Sequence, residues 1–421
     1  LSGYLDIGYV PNKTDLVCEF YLEPNKISLE KAAEHIAAES SIGTWTDVIT
    51  MSSDIAKKLA PHIFLINRKK HIVKIAYPSE LFEPGNMPQI LSSIAGNIFG
   101  MKVLKNLRLL DITFPHDIVK SFSGPKYGFY EIKKSLNVVD RPLLGTIVKP
   151  KVGLDALMHA QVAYNAWIGG CDFVKDDENL TDQHFNPFGK RLIETLKKRE
   201  QAEKYTGERK IYLPNITAET KEMIRRARFV KRHGGEFVMI DVLTAGFSAV
   251  QTIRELDLGV AIHAHRAMHA AITRNEKHGI SMLALAKILR LIGVDSMHIG
   301  TAVGKMEGKQ VDVLEIEGEI ENIHVKKHQE VLMQEWGRIK PVLAVCSGGL
   351  HPGLVPKLIQ LMGKEILIQA GGGIHGHPDG TTAGARAMRQ AIFATQINYP
   401  IKAYAHLNPE LKKALEKWGN K

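Results

Sequence analysis

The run Lys175-Asp176-Asp177-Glu178 sets one amine among three carboxylates. On a strand, side chains alternate faces, so Lys175 and Asp177 share one side. Glu178, just past the strand end, can be turned inward. Two carboxylates suit a hard cation such as Mg2+, which takes oxygen ligands and keeps positions open for water or substrate. A lysine amine is no ligand for Mg2+. A neutral amine, however, reacts with CO2 to give a carbamate, an anionic oxygen donor, and burial favours the neutral form. The plainer alternative is a solvated Lys–Asp cluster.

Four further groups carry chemistry. Lys149-Pro150-Lys151 puts two ammonium groups on one side of a strand stiffened at its exit by proline. Their mutual repulsion can lower one pKa far enough for proton transfer; two surface lysines are the alternative. His263 and His265 share a face, and Arg266 can fork onto a phosphate. Metal-binding or core histidines are the rivals there. Ser347-Gly348-Gly349 and Gly371-Gly372-Gly373 lack side chains that would block a ligand, and their backbone N–H groups can cradle a phosphate. Finally, His298 leads into a stretch with glycines on both sides of Lys305. This suits a mobile lid carrying a cation, or else a static loop.

These groups must be positioned. From about residue 140, short apolar strands alternate with amphipathic helices. The expected strands are Leu143–Lys149, Asp172–Asp176, Lys210–Ile216, Glu236–Asp241, Val260–His265, Ser296–Gly300, Pro341–Cys346 and Ile366–Gln369, with helices such as Lys221–His233 and Met282–Ile292 between them. About eight such units predict an α/β fold, a (β/α)8 TIM barrel, whose active site lies at the carboxyl ends of its strands. Nearly every expected strand ends in a capable group, Asn215 and Asp241 included. Residues 1–124 mix strands (Val17–Leu22, Ile63–Asn67, His71–Ala76) with helices (Leu29–Ala38, Met87–Gly96) and read as a smaller α+β domain. Gly124-Pro125 is the linker, and 125–421 the barrel with carboxyl-terminal helices.

The 421 residues, 44% hydrophobic, suffice for real cores. No run approaches ~18 apolar residues, so no membrane span is expected, and the first ten residues lack the pattern of a signal peptide. Cys18, Cys171 and Cys346 lie far apart and match no zinc spacing. Buried thiols in a reducing cytoplasm are the simplest reading. The net charge of +10 is dispersed, which argues against nucleic acid and fits anionic ligands.

Together, these strings resemble the large subunit of ribulose-1,5-bisphosphate carboxylase/oxygenase (RuBisCO). The resemblance runs nearly the whole chain, in family order: Glu39 to Trp45, Gly96-Asn97, Lys149 to Lys151, Lys175 to Glu178, His263 to His269, His298 to Gly308, Ser347 to Gly349 and Gly371 to Gly373. It implies that Lys175, as the carbamate formed with activator CO2, joins Asp177 and Glu178 in holding Mg2+. The carbamate, or groups it orients, would take the proton that makes the enediolate. Lys149 would shuttle protons to the final carbanion, Lys151 would support it and the metal site, His265 would assist hydration, and Lys305 would meet the new carboxylate. Arg266, His298, Ser347, Gly348, Gly349, Gln369, Gly371 and Gly372 would hold the substrate. Glu39, Thr44, Trp45 and Asn97 would reach the barrel of a partner, requiring a homodimer or a ring of dimers. The implied partners are ribulose 1,5-bisphosphate, CO2 and O2. The string His375-Gly-His-Pro-Asp-Gly380 is more like the archaeal form III branch, which is linked to recycling nucleoside monophosphates such as AMP. Two departures are Ile147, where many relatives have Thr, and Met306, where Leu is common. Two rival readings remain: a RuBisCO-like protein that only enolises or isomerises a related sugar phosphate, and a basic scaffold without activity.

Overall fold

The computed structural model describes residues 3–44, 46, 48–303, 309–328 and 331–419. The chain forms two compact units. One takes residues up to Gly124 together with Met268–Ile292 and Asn322–Lys340, and the other takes Pro125–Ala267, Gly293–Glu321 and the chain from Pro341 onward.

The second unit is a closed parallel barrel. Its strands are Leu143–Ile147, Phe173–Lys175, Ile211–Leu213, Phe237–Asp241, Ala261–His265, Ser296–Gly300, Leu343–Ser347 and Ile366–Gln369. Except for the third and fourth, each pairs in parallel with its neighbour in sequence, and the eighth pairs with the first. A bridge between Asn215 and Met239 closes the ring between the third and fourth strands. The third strand stops at Leu213 rather than Ile216 because Pro214 has no N–H to donate. The first stops at Ile147, so Lys149 and Lys151 stand on the following loop rather than on the strand. Inward-pointing Leu143, Phe173, Leu213, Met239, Val345 and Leu367 fill the interior, joined by Phe129 and Ile132 of the helix Gly128–Ser135. Asp295, just before the sixth strand, is fully buried. It accepts from the N–H groups of Tyr127 (2.7 Å) and Ile262 (2.8 Å) and pairs with Arg254.

The first unit is a five-stranded sheet ordered Gly279–Ile280, Leu104–Thr113, Leu16–Pro24, Ile72–Tyr77, His62–Asn67. The strand Leu104–Thr113 was not legible in the sequence. A register shift against Glu19 and Phe20 skips Leu110, breaking the apolar alternation that would have announced it. Segments from far along the chain complete this unit. Lys287, on the helix Met282–Ile292, is fully buried 2.7 Å from Asp111, and its Nζ also donates to Ile112 O at 2.8 Å.

On the helix Gln310–Glu321, burial pushes the Glu317 carboxyl up to about 7. Burial, with the charges of Glu317 and Glu365, pushes Glu321 to about 8 from an ordinary value of 4.5. The folded protein therefore holds protons that the unfolded chain has released. Their contribution to stability is complete below about pH 4.5 and is lost as pH rises through about 8. The melting temperature should fall between pH 6 and 9. Glu321→Gln should reduce that fall by a few degrees, on the scale of ~2–4 °C per kcal/mol for domains of this size. Equal slopes in calorimetric scans of both proteins would contradict this.

Candidate active site

Inward parity in the barrel strands runs from an apolar layer into a polar one. Two residues beyond inward Phe173 comes Lys175, beyond Met239 Asp241, beyond Val345 Ser347, and beyond Leu367 Gln369. The layers meet at Lys175, which is 1% exposed and whose Nζ lies 3.4 Å from Met239 Sδ. That nitrogen donates to Asp176 O at 2.8 Å and stands 3.8 Å from Glu178 Oε2. Burial pushes the amine below its ordinary value, against the pull of Glu178, Asp177 and Asp241.

The same parity turns Asp176 outward, away from its neighbours. Fully buried, it accepts from Tyr212 Oη (2.6 Å), Arg191 Nε (3.1 Å) and Asn215 N (2.9 Å), with His159 Nε2 at 3.0 Å. Its donors hold the carboxyl well below its usual range despite burial. Removing one partner of such a buried network costs about 3–5 kcal/mol. Asp176 thus anchors the strand that presents Lys175 and Asp177.

Lys149 Nζ donates to Asp177 Oδ2 at 2.8 Å, and Lys151 Nζ lies 3.6 Å from Glu178 Oε1. The expectation that the two ammonium groups face and repel each other needs correcting. With the strand ended at Ile147, each reaches its own carboxylate. Burial raises both carboxyls, but Lys149 draws Asp177 below its ordinary value, and Lys175 with His265 does the same to Glu178.

His265 Nδ1 is 3.2 Å from Asp241 Oδ1 and 3.2 Å from the Ala267 N–H, and Nε2 is 3.6 Å from Glu178 Oε2. Nδ1 accepts from the Ala267 N–H, while Asp241 Oδ1, close beside it, has no hydrogen-bond partner among the described residues. His263 links Ser296 Oγ (2.9 Å) to His298 (3.0 Å), and His298 continues to Ser347 Oγ at 2.7 Å. Burial holds both rings well below the ordinary histidine value. They are therefore neutral members of a hydrogen-bonded chain, not cations.

The glycine loops border a cavity of about 620 Å3 that Gly349, Gly371, Gly372 and Gly373 line. Gly348 (φ +116°) and Gly349 (φ +66°) occupy backbone that side chains disfavour. A Cβ on Gly373 would lie 2.0 Å from Leu350 O. Arg266 is half-buried, burial brings its guanidinium down to about 10, and no charged partner is found among the described residues. The Gln369 amide is buried, and neither its oxygen nor its nitrogen has a hydrogen-bond partner among the described residues. Cationic and amide groups left this way fit an anionic, hydroxylated ligand.

In the first unit, Glu39 ends the helix Leu29–Glu39, and Asn97 Nδ2 donates to Glu39 Oε1 at 3.4 Å. Thr44 follows as a half-buried loop residue. Trp45 and Lys305 lie outside the described residues. Two residues now join the candidate list. Asp241 stands beside His265, and the Asn215 amide reaches Asp177 O (3.4 Å), Glu178 O (3.3 Å) and Asp241 Oδ2 (3.5 Å). Their position at strand ends was the available signal.

Residues 128–418 match the model of the ribulose bisphosphate carboxylase large chain, catalytic domain, and residues 3–118 match its N-terminal domain. The chain belongs to the RuBisCO large-chain family. Ribulose bisphosphate carboxylase of Methanocaldococcus jannaschii is 54% identical to it, and that of Methanosarcina mazei 52%. The alignments cover 99% of this chain in each case, and 99% and 98% of those proteins. The dimeric archaeal Rubisco of Hyperthermus butylicus superposes with a TM-score of 0.94 at 45% identity, covering 99% of each chain. The octameric Rubisco of Pyrococcus horikoshii, solved with sulfate, gives 0.92 at 48%, covering 99% of this chain and 96% of that one.

The donor set tests the magnesium expected of a RuBisCO. Asp177 and Glu178 give two carboxylates, and among the described residues no three His, Cys, Asp or Glu gather to hold a metal. The set reaches three oxygen donors only if Lys175 becomes one. Its burial among those carboxylates fits that conversion.

Proposed function

We propose that this chain is a ribulose-1,5-bisphosphate carboxylase, adding CO2 to the enediolate of the bisphosphate and cleaving the product into two 3-phosphoglycerates. The observation that carries the reading is the buried Lys175 amine beside Asp177 and Glu178, at the mouth that also holds Lys149, His265 and the glycine loops. Mg2+ would be held by Asp177, Glu178 and the carbamate of Lys175, and when bound it supplies polarisation of the substrate oxygens. Gly349, Gly371 and Gly372 would take one phosphate and Arg266 the other. His298, Ser347 and Gln369 would meet the sugar hydroxyls. His265, oriented by the Ala267 N–H and with Asp241 beside it, would move protons during hydration of the new ketone. Lys149 would deliver the last proton to the C2 carbanion, with Lys151 beside it. From sequence alone, Lys305 would meet the new carboxylate.

Glu39 and Asn97, with Thr44 and Trp45, would complete the site of a second copy, giving a homodimer or a ring of dimers. Reaction with O2 is the expected side activity, because an enediolate reacts with either gas. The form III-like string at His375 supports a place in nucleoside monophosphate recycling. No described helix is long and apolar enough to cross a membrane, in keeping with a cytoplasmic enzyme. The test is incubation of the CO2- and Mg2+-treated protein with the bisphosphate. With O2 excluded, the bisphosphate should be consumed only when CO2 is present. Its conversion to an isomeric bisphosphate without CO2 would favour the enolising, RuBisCO-like reading instead.

A further inference from the structure

His375 sits where the eighth strand's loop meets the end of the first strand. Its Nε2 is 3.0 Å from Thr146 Oγ1, and its Nδ1 is 3.0 Å from Thr381 Oγ1. The Thr146 hydroxyl spends its one hydrogen on Ala370 O at 2.6 Å. The ring must therefore donate from Nε2 and accept at Nδ1, which fixes its tautomer. Burial lowers its pKa to about 4, so it stays neutral in any working range. On one side, His375 ends the short helix Gly372–His375, and its N–H donates to Gly371 O at 3.0 Å. On the other, Thr146 precedes Ile147 and Lys149. The two sides meet again at Gly371, where a Cβ would lie 3.2 Å from Lys149 Cε and 3.8 Å from Ile147 Cδ1. The stem of the lysine thus lies against the glycine loop, and one imidazole pins the backbones that carry both.

We infer that His375 is a positioning residue for Lys149, holding the lysine's strand end in register with the glycine loop so that its proton reaches the substrate while the phosphate is seated. This rests on the role proposed above for Lys149. Its consequence follows from the chemistry of the last intermediate. When the C3–C2 bond of the hydrated six-carbon intermediate breaks, C2 of one fragment is left as a carbanion with phosphate on the adjacent carbon. Protonation gives 3-phosphoglycerate. If the proton is late, the carbanion's electron pair forms a C=C bond, the C–O bond to phosphate breaks, and enolpyruvate leaves to become pyruvate. His375→Phe keeps the bulk and removes both hydrogen bonds. It should raise the pyruvate share of product and lower kcat about tenfold, part of the ~100-fold that a 1 Å misplacement can cost. His375→Gln keeps a donor toward Thr146 and should restore the wild-type product ratio, whereas His375→Asn keeps only the Thr381 side and should not. Thr146→Val removes the same bond from the other end and serves if His375→Phe does not fold. Product ratios are read from labelled CO2, with Lys149→Gln, fed the six-carbon intermediate, as reference. Elevated pyruvate with Lys149→Gln but not with His375→Phe or Thr146→Val overturns the inference alone. No elevation with Lys149→Gln overturns the proposed role of Lys149, and the inference with it.

Discussion

Lys175→Arg should fold, bind the bisphosphate weakly and fix no measurable CO2, whatever pretreatment it receives. The wild-type protein should need preincubation with CO2 and Mg2+ to become active. A guanidinium stays protonated and cannot form the carbamate. The variant keeps only the carboxylates of Asp177 and Glu178, both already engaged by ammonium groups. Losing the metal's contribution of several kcal/mol corresponds to at least on the order of a thousandfold in rate. Lys175 is nearly fully buried, so a second variant guards against misfolding. Lys175→Met matches its length without a charge and should be equally inactive while melting normally. Substantial CO2 fixation by either variant would remove Lys175 from the site's chemistry.

Lys305→Ala should separate two steps that the other site variants lose together. The carboxylate that Lys305 is proposed to meet forms only when CO2 adds, and the enediolate has no such charge. An interaction made late should cost turnover rather than binding. Removing one such cationic contact should slow carboxylation by about 10^2–10^3-fold. Exchange of the C3 proton of the bisphosphate with solvent should persist, because it needs only the groups around Lys175. Both rates are measured on one preparation. If exchange and fixation vanish together in a folded, activated variant, Lys305 acts before CO2 adds. If both survive, it is no part of the reaction.

The barrel was legible because its strands are short, apolar and spaced by amphipathic helices, and the site was legible because strand parity sorts its polar residues. Met239 and Lys175 meet where that parity passes from core to chemistry, and Asp176 is out of phase with both of its site neighbours. The end of the third strand was not legible, because Pro214 lacks the N–H that would have carried the pairing on to Ile216. Other features are invisible to any local pattern. Lys287 completes a buried ion pair with Asp111 from the far side of the sequence, and nothing within the helix Met282–Ile292 announces that partner. Asp241 and Asn215 each looked like one more polar strand end until they proved to flank His265 and the backbone of Asp177 and Glu178. His375 could be read only as part of a family string, because its partner Thr146 lies 229 residues away.

The most direct test of the account is the fate of the carbon it claims is fixed. The activated protein is given the bisphosphate and 13C-labelled CO2, and the products are resolved by NMR. The account predicts two 3-phosphoglycerates per bisphosphate consumed, with label in the carboxyl of one of the two. With O2 excluded, 3-phosphoglycerate in which neither molecule of the pair carries label, or a labelled product that is never cleaved, would contradict it.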